Sequence, residues 1–170
     1  QGREDILVIV VAILAIITFA ILFRSIFDNS DISNKSDYLF NDHNIALGLH
    51  AGVSSMQGMR GHMEDSYSAT HDIDEDDKSA IFAVFDGHGG NRCSTYASIH
   101  VPQIIQSTYA NNPVEKLIKS FEKVDEKWLN MANKLSYDDG CTAITAYISQ
   151  GNLYIANIGD SRAVLGSNGH

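Results

Sequence analysis

Basic residues and cysteines are both scarce in this chain of 170 residues. Twelve Lys and Arg stand against 21 Asp and Glu, for a formal net charge of −9. A nucleic-acid surface needs clustered Lys and Arg, and adsorption to an anionic lipid surface needs the same sign of charge. Nucleic acid is therefore excluded as a partner. The two cysteines, Cys93 and Cys141, have no CxxC or zinc-ligand spacing around them. A reduced, cytosol-facing domain is the simpler account, with a disulfide between the two left open. The length suits one domain.

Charge is missing altogether from Ile6 to Phe23, a run of Ile, Val, Leu, Ala and Phe interrupted only by Thr18. It lies near the lower end of the about 17–25 residues that a membrane-spanning helix needs. Arg24 can snorkel, which extends the span through Ile26 and Phe27. The run exceeds the about 7–15 apolar residues of a signal peptide, and no small-x-small site follows it. Residues 1–27 are thus read as one N-terminal transmembrane helix that anchors the chain in a lipid bilayer. Arg3 precedes the run while Arg24 and Lys35 follow it, which favours a single pass with the C-terminal domain in the cytosol. Residues 28–44 are rich in Asp, Asn and Ser and read as a solvated juxtamembrane linker.

A folded domain is expected over 45–170. Alternation predicts a strand from Ile45 to Ala51, and a second is expected over Ser66–Thr70. Asp72 to Lys78 lacks the Gly and Glu of a calcium loop and reads as a solvated connection. Ala80–Phe85 is an unbroken apolar run, bounded by a Gly cluster, and predicts a buried strand. A helix is expected over Asn91–Tyr109, kinked or divided at Pro102. A clearer one starts at Asn112, with Pro113 and Glu115 at capping positions and Leu117, Phe121, Val124 and Trp128 on an apolar stripe. Strands follow at Thr142–Ile148, Leu153–Ile158 and Ala163–Leu165.

Asp86-Gly87-His88-Gly89-Gly90 sits where the buried strand ends. Asp86 offers hard oxygen to a divalent cation, the Gly87 carbonyl offers more, and His88 can exchange a proton near neutral pH. The bland reading is a Gly-rich turn with a polar cap. The stretch does not stand alone. Gln57 to Asp65, Phe82 to Gly90, Asp139 to Ala143 and Ala156 to Ala163 together, in this order, resemble the metal-dependent Ser/Thr protein phosphatases known as type 2C or PPM. The resemblance runs from about Ala46 to the last residue.

That resemblance implies an α+β fold, a sandwich of two antiparallel β-sheets flanked by helices, of which about half is expected here. It implies hydrolysis of phosphoserine and phosphothreonine in phosphorylated protein substrates, with Mg²⁺ or Mn²⁺ as two or more ions activating a water. Asp86 is the implied bridging ligand with Gly87 beside it. Glu64 and Asp65 would hold metal-bound waters, and Asp160 corresponds to a carboxylate of a weaker third ion. Arg60 would bind the substrate phosphate, and His88 would be the general acid. Thr142, Ser161 and Arg162 read as structural. The family also draws on two aspartates from the second half of its domain, beyond His170, so the chain is expected to be a fragment and inactive as it stands. The alternative is a non-catalytic, membrane-tethered pseudophosphatase or phosphoprotein-binding scaffold.

Overall fold

The computed structural model describes residues 6–12, 17–23, 49–74 and 78–167. In chain order they form β1 (Ile6–Ala12), β2 (Ile17–Phe23), β3 (Leu49–Ser55), β4 (Ser66–His71), β5 (Ala80–Phe85), β6 (Gly87–His88), α1 (Arg92–Ser107), α2 (Pro113–Leu135), β7 (Gly140–Cys141), β8 (Ala143–Ser149), β9 (Asn152–Ile158) and β10 (Arg162–Ser167). One sheet has the order β10-β1-β2-β3, a second β4-β5-β8-β9, and β6 pairs with β7. Every pairing is antiparallel.

The unbroken apolar character of β5 follows from burial on both faces. Ala80, Phe82 and Val84 pack with Ile144, Ala146 and Ile148 of β8 against Leu49 and Val53 of β3, which joins the two sheets. Ile81, Ala83 and Phe85 point the other way, with Tyr147, into Ala97, Val101, Ile104 and Ile105 of α1 and Leu117 and Val124 of α2. Period-2 alternation of side chains thus feeds two cores rather than one core and solvent. Each large side chain fully buried here contributes about 1.5–3 kcal/mol. The expected α+β sandwich with flanking helices is what forms.

The helices form where the sequence places them. Pro102 lies inside α1, buried, and the helix runs through it. At α2, Asn112 Oδ1 accepts from the Glu115 N–H at 2.9 Å. Glu115 reaches back to the Asn111 N–H at 3.1 Å, one residue earlier than a capping box would have it. The strand expected over 45–51 is Leu49–Ser55, because the alternation Leu49, Ala51, Val53 carries on past the expected end.

The structure differs from the expectation at the N-terminal run. Instead of a transmembrane helix, Ile6–Ala12 and Ile17–Phe23 are two antiparallel strands, paired with β10 on one side and β3 on the other. Among the described residues, no helix is long and apolar enough to cross a membrane. An apolar run without polar interruptions carries no period, so it cannot separate a helix from strands, and Ile and Val favour the pleated surface. The linker expected over 28–44 lies outside the described residues.

The acidic loop is also more than a solvated connection. Asp74 accepts from Tyr147 Oη at 2.6 and 2.8 Å, from Ser149 Oγ at 2.8 Å and from Lys116 Nζ at 2.6 Å. Its main-chain N–H donates to Ser79 Oγ at 2.7 Å. One carboxylate thereby ties the β4–β5 connection to β8 and α2. Burial pushes its carboxyl up, but the bonds from Lys116, Tyr147 and Ser149 outweigh this and hold it below the usual range. A depressed carboxyl contributes stability that is fully present above its unfolded value of about 3.9 and is lost as pH falls through the folded value. Asp74→Asn should therefore lower stability by about 1–3 kcal/mol at neutral pH. In thermal melts the gap to wild type should close as the solution is made strongly acidic; a gap independent of pH would count against the charged network.

Candidate active site

β5 is rigid and buried, and it delivers Asp86 at its end. The Asp86 main-chain carbonyl accepts from the Thr142 N–H at 2.9 Å. Gly87 is buried and lies opposite Cys141 across the β6–β7 pair. On its other side runs the segment that leads into β4. A Cβ on Gly87 would overlap the Glu64 carbonyl oxygen and stand 2.9 Å from Ser94 Oγ. Only glycine lets these two backbones approach so closely. The Ser94 hydroxyl donates to that same Glu64 carbonyl, and Ser66 Oγ donates to Ser94 Oγ at 3.3 Å. The first turn of α1 therefore clamps the acidic segment against the end of β5.

The clamp brings carboxylates together. The Asp65 side chain stands close to the charge of Asp86, while Asp65 Oδ2 is buried with no hydrogen-bond partner among the described residues. Burial first, then the charge of Asp86, then the charge of Glu64, push Asp65 up to about 6, against the pull of Arg60. Like charges desolvated side by side favour either a shared proton or a cation. The donor set is hard oxygen throughout: two paired carboxylates, a third nearby and main-chain carbonyls. It fits Mg²⁺ or Mn²⁺, which take few protein carboxylates and keep several waters. Among the described residues, no three His, Cys, Asp or Glu side chains stand close enough to hold an ion unaided. Water and main-chain oxygen would have to complete the shell.

The other expected residues surround this pair at different distances. Arg60 is exposed, at the end of a turn in which its N–H donates to the Gln57 carbonyl at 3.3 Å and Gln57 Nε2 donates to its carbonyl at 2.8 Å. His88 is exposed, with its ring against Gly140; a Cβ on Gly140 would lie 2.7 Å from His88 Nε2. Asp160 is exposed between β9 and β10 and stands outside the Asp65–Asp86 pair. It is linked to the site through its neighbour. Ser161 is buried and shares a hydrogen bond of 2.7 Å with Thr142 Oγ1, and Thr142 holds the Asp86 carbonyl. The structural reading of Thr142 and Ser161 is what the bonds show.

Two features escape sequence reading. Asp139 is buried, accepts from the Cys93 N–H at 2.8 Å and forms an ion pair with Arg92, Nε to Oδ1 2.9 Å. It caps the N-terminus of α1, where an anion is favoured by the helix dipole. The local candidate, Asn91, makes no side-chain cap bond. A cap supplied from the far side of α2 leaves no spacing signal. The second feature is the contact of Cys93 Sγ with Cys141 Sγ at 3.3 Å, both thiols being free. No local motif marks it, because the two residues meet only once β7 pairs with β6.

Comparison with known proteins supports the same direction. The family model described as protein phosphatase 2C matches residues 49–170. The protein phosphatase 2C homolog 2 of Schizosaccharomyces pombe is 40% identical over 129 residues, 71% of this chain and 35% of that protein. The protein phosphatase 1B of Rattus norvegicus is 37% identical over 147 residues, 76% of this chain and 38% of that protein. The chain thus spans little more than a third of the length of these two relatives. The crystal structure of serine-threonine phosphatase 2C from Toxoplasma gondii shares the fold, with a TM-score of 0.58 over 95% of this chain and 53% of that one at 17% identity. By the match over residues 49–170, which contains every residue of the carboxylate site, the chain belongs to the protein phosphatase 2C family.

Proposed function

We propose that this chain carries part of a metal-dependent protein serine/threonine phosphatase acting on phosphorylated proteins. The observation that carries the reading is the Asp65–Asp86 pair, with its buried, unpartnered oxygen, at the end of a strand buried on both faces. Membership of the family supports it. Asp86 and the Gly87 carbonyl would hold the ion or ions, with Glu64 and Asp65 accepting hydrogen bonds from their water shell and Asp160 serving a further one. Mg²⁺ or Mn²⁺, when bound, supplies Lewis acidity that acidifies water and neutralises phosphoryl charge.

The chain's own groups divide the remaining work. Arg60, exposed beside the acidic segment, presents a planar fork to two phosphoryl oxygens and orients the ester. His88, exposed at the end of β6, gives a proton to the leaving Ser or Thr oxygen as the P–O bond breaks. The clamp of Ser94 on the Glu64 carbonyl keeps both carboxylate segments in register through turnover.

The second reading is a non-catalytic scaffold that binds phosphoproteins. It draws on the lack, among the described residues, of three side chains close enough to hold an ion unaided. Mn²⁺-dependent hydrolysis of a phosphothreonine peptide by the full-length protein separates the two, activity being the expected result. In that protein Asp86→Asn should cost more than the about 10–100-fold typical of outer-shell changes at metal sites. Turnover near wild type in this variant would sink the metal assignment. Arg60→Ala should raise KM by about 10–100-fold, the worth of charge-assisted hydrogen bonds. An unchanged KM with a much lower kcat would instead place Arg60 in the transition state alone.

Membrane tethering, with the phosphatase domain in the cytosol, belongs to this proposal and rests on the apolar run from Ile6 to Phe23. The structure uses those residues in β1 and β2, so the two uses exclude one another. Alkaline carbonate extraction of membranes from cells making the full-length protein is the check. Retention in the pellet is expected for a tether, and release into the wash would leave the strands as the sole use of the run.

A further inference from the structure

Cys93 and Cys141 lie in different parts of the chain, yet their sulfurs share a hydrogen bond at 3.3 Å. Cys93 is the second residue of α1, and Asp139 holds its main-chain N–H. Cys141 ends β7 and faces Gly87 across the β6–β7 pair. Both cysteines line a groove of about 840 Å³ between α2 and β9, together with Tyr96, Trp128 and Tyr154. Small solutes can therefore reach a pair that is otherwise packed among aromatic rings. Neither thiol has a part in the phosphatase reading.

We propose that Cys93 and Cys141 form a reversible disulfide, a redox modification site set behind the carboxylate centre, with hydrogen peroxide as the oxidant class. The geometry needs only a small approach, since sulfurs already in contact must close to about 2.05 Å. In the first step the Cys93 sulfur attacks one peroxide oxygen, the O–O bond breaks, and the other oxygen leaves as water with the thiol proton. The product is a sulfenic acid. The Cys141 sulfur then displaces that hydroxyl, the S–S bond forms, and a second water carries off the Cys141 proton. Two thiols and one peroxide thus give one disulfide and two waters, and a dithiol reductant reverses the change.

Cys93 is the better first nucleophile on two counts. It sits in the first turn of a helix, where a thiolate is favoured. The hydrogen bond with Cys141 also holds its thiol below the ordinary value. The consequence for the site follows from register. A bond at Cys141 pulls on β7 directly opposite Gly87, and the next residue, Thr142, holds the Asp86 carbonyl. Oxidation is therefore expected to lower phosphatase activity, a consequence that rests on the reading above.

The test is peptide mapping of the full-length protein after peroxide treatment, folded and in urea, without reductant. The expected result is a linked pair of peptides holding Cys93 and Cys141, lighter by two hydrogens. The link should form faster in the folded protein, be reversed by dithiothreitol and be absent in Cys93→Ser. Linkage only in urea, bonds between chains, or sulfinic acid on one cysteine with the other still alkylatable would overturn the proposal. In parallel, phosphothreonine-peptide turnover should fall on oxidation and return with dithiothreitol. A linked protein of unchanged activity would overturn the coupling to the site. The map reads the bond whether or not the protein turns over, so a protein inactive before oxidation would count against the phosphatase reading and not against the disulfide.

Discussion

The Glu64 carbonyl passes Gly87 more closely than any side chain at that position would allow, and the rest of the site depends on this approach. It sets Asp65 against Asp86, two carboxylates that water would otherwise keep apart. Their proximity is unfavourable in itself, since burial and like charge both work against ionised groups. It is held by neutral interactions around it: the Ser94 hydroxyl on the Glu64 carbonyl, the Ser66 hydroxyl on Ser94, and the pairing of β4 with β5 from Ser66 to Phe85. The fold keeps a repulsive arrangement by spending packing energy at its flanks, which is how a strained site differs from a chance acidic patch.

That packing comes from β5, whose two faces belong to two different cores. A strand with one solvated face could shift by a residue at the cost of exposing one set of side chains. In β5 such a slip would exchange Phe82 with Ile81 and Ala83 across two filled layers at once, so its register is held from both sides. Asp86 inherits that precision. The position of the Asp86 carboxylate is thus a property of the apolar strand before it, and the glycines after it only let other backbones come near.

The sequence made legible what local pattern can carry. The uniform apolar run of β5, the Asn112–Pro113 start of α2 and the hairpin of β8 and β9 each follow from neighbours a few residues apart. The ordered motifs also brought out Arg60, Glu64, Asp65, Asp86 and His88, although no spacing rule says that Asp65 and Asp86 touch. What stayed hidden depends on long-range pairing. Asp74 looked like one charge in a solvated loop, but Tyr147, Ser149 and Lys116 reach it only after β8 and α2 are in place. Asp139 caps a helix that begins 47 residues earlier in the chain, at Arg92. The run from Ile6 to Phe23 is ambiguous for a different reason, since continuous apolarity has no period to read and fits a membrane helix or two strands equally well.

The small β6–β7 pair links these elements into one unit. Gly87 and His88 form one strand of it, Gly140 and Cys141 the other. Asp139, just before it, fixes the start of α1, and Thr142, just after it, fixes the Asp86 carbonyl and Ser161. Ser94 on α1 closes the circuit by holding Glu64. Displacing β7 by a fraction of an ångström therefore acts on the main-chain oxygen of Asp86, on the imidazole beside Gly140 and on the helix that clamps the acidic segment. Close-packed surroundings pass such a displacement on instead of absorbing it. A chemical change at Cys141 is accordingly expected to reach the carboxylate centre through the main chain of β7.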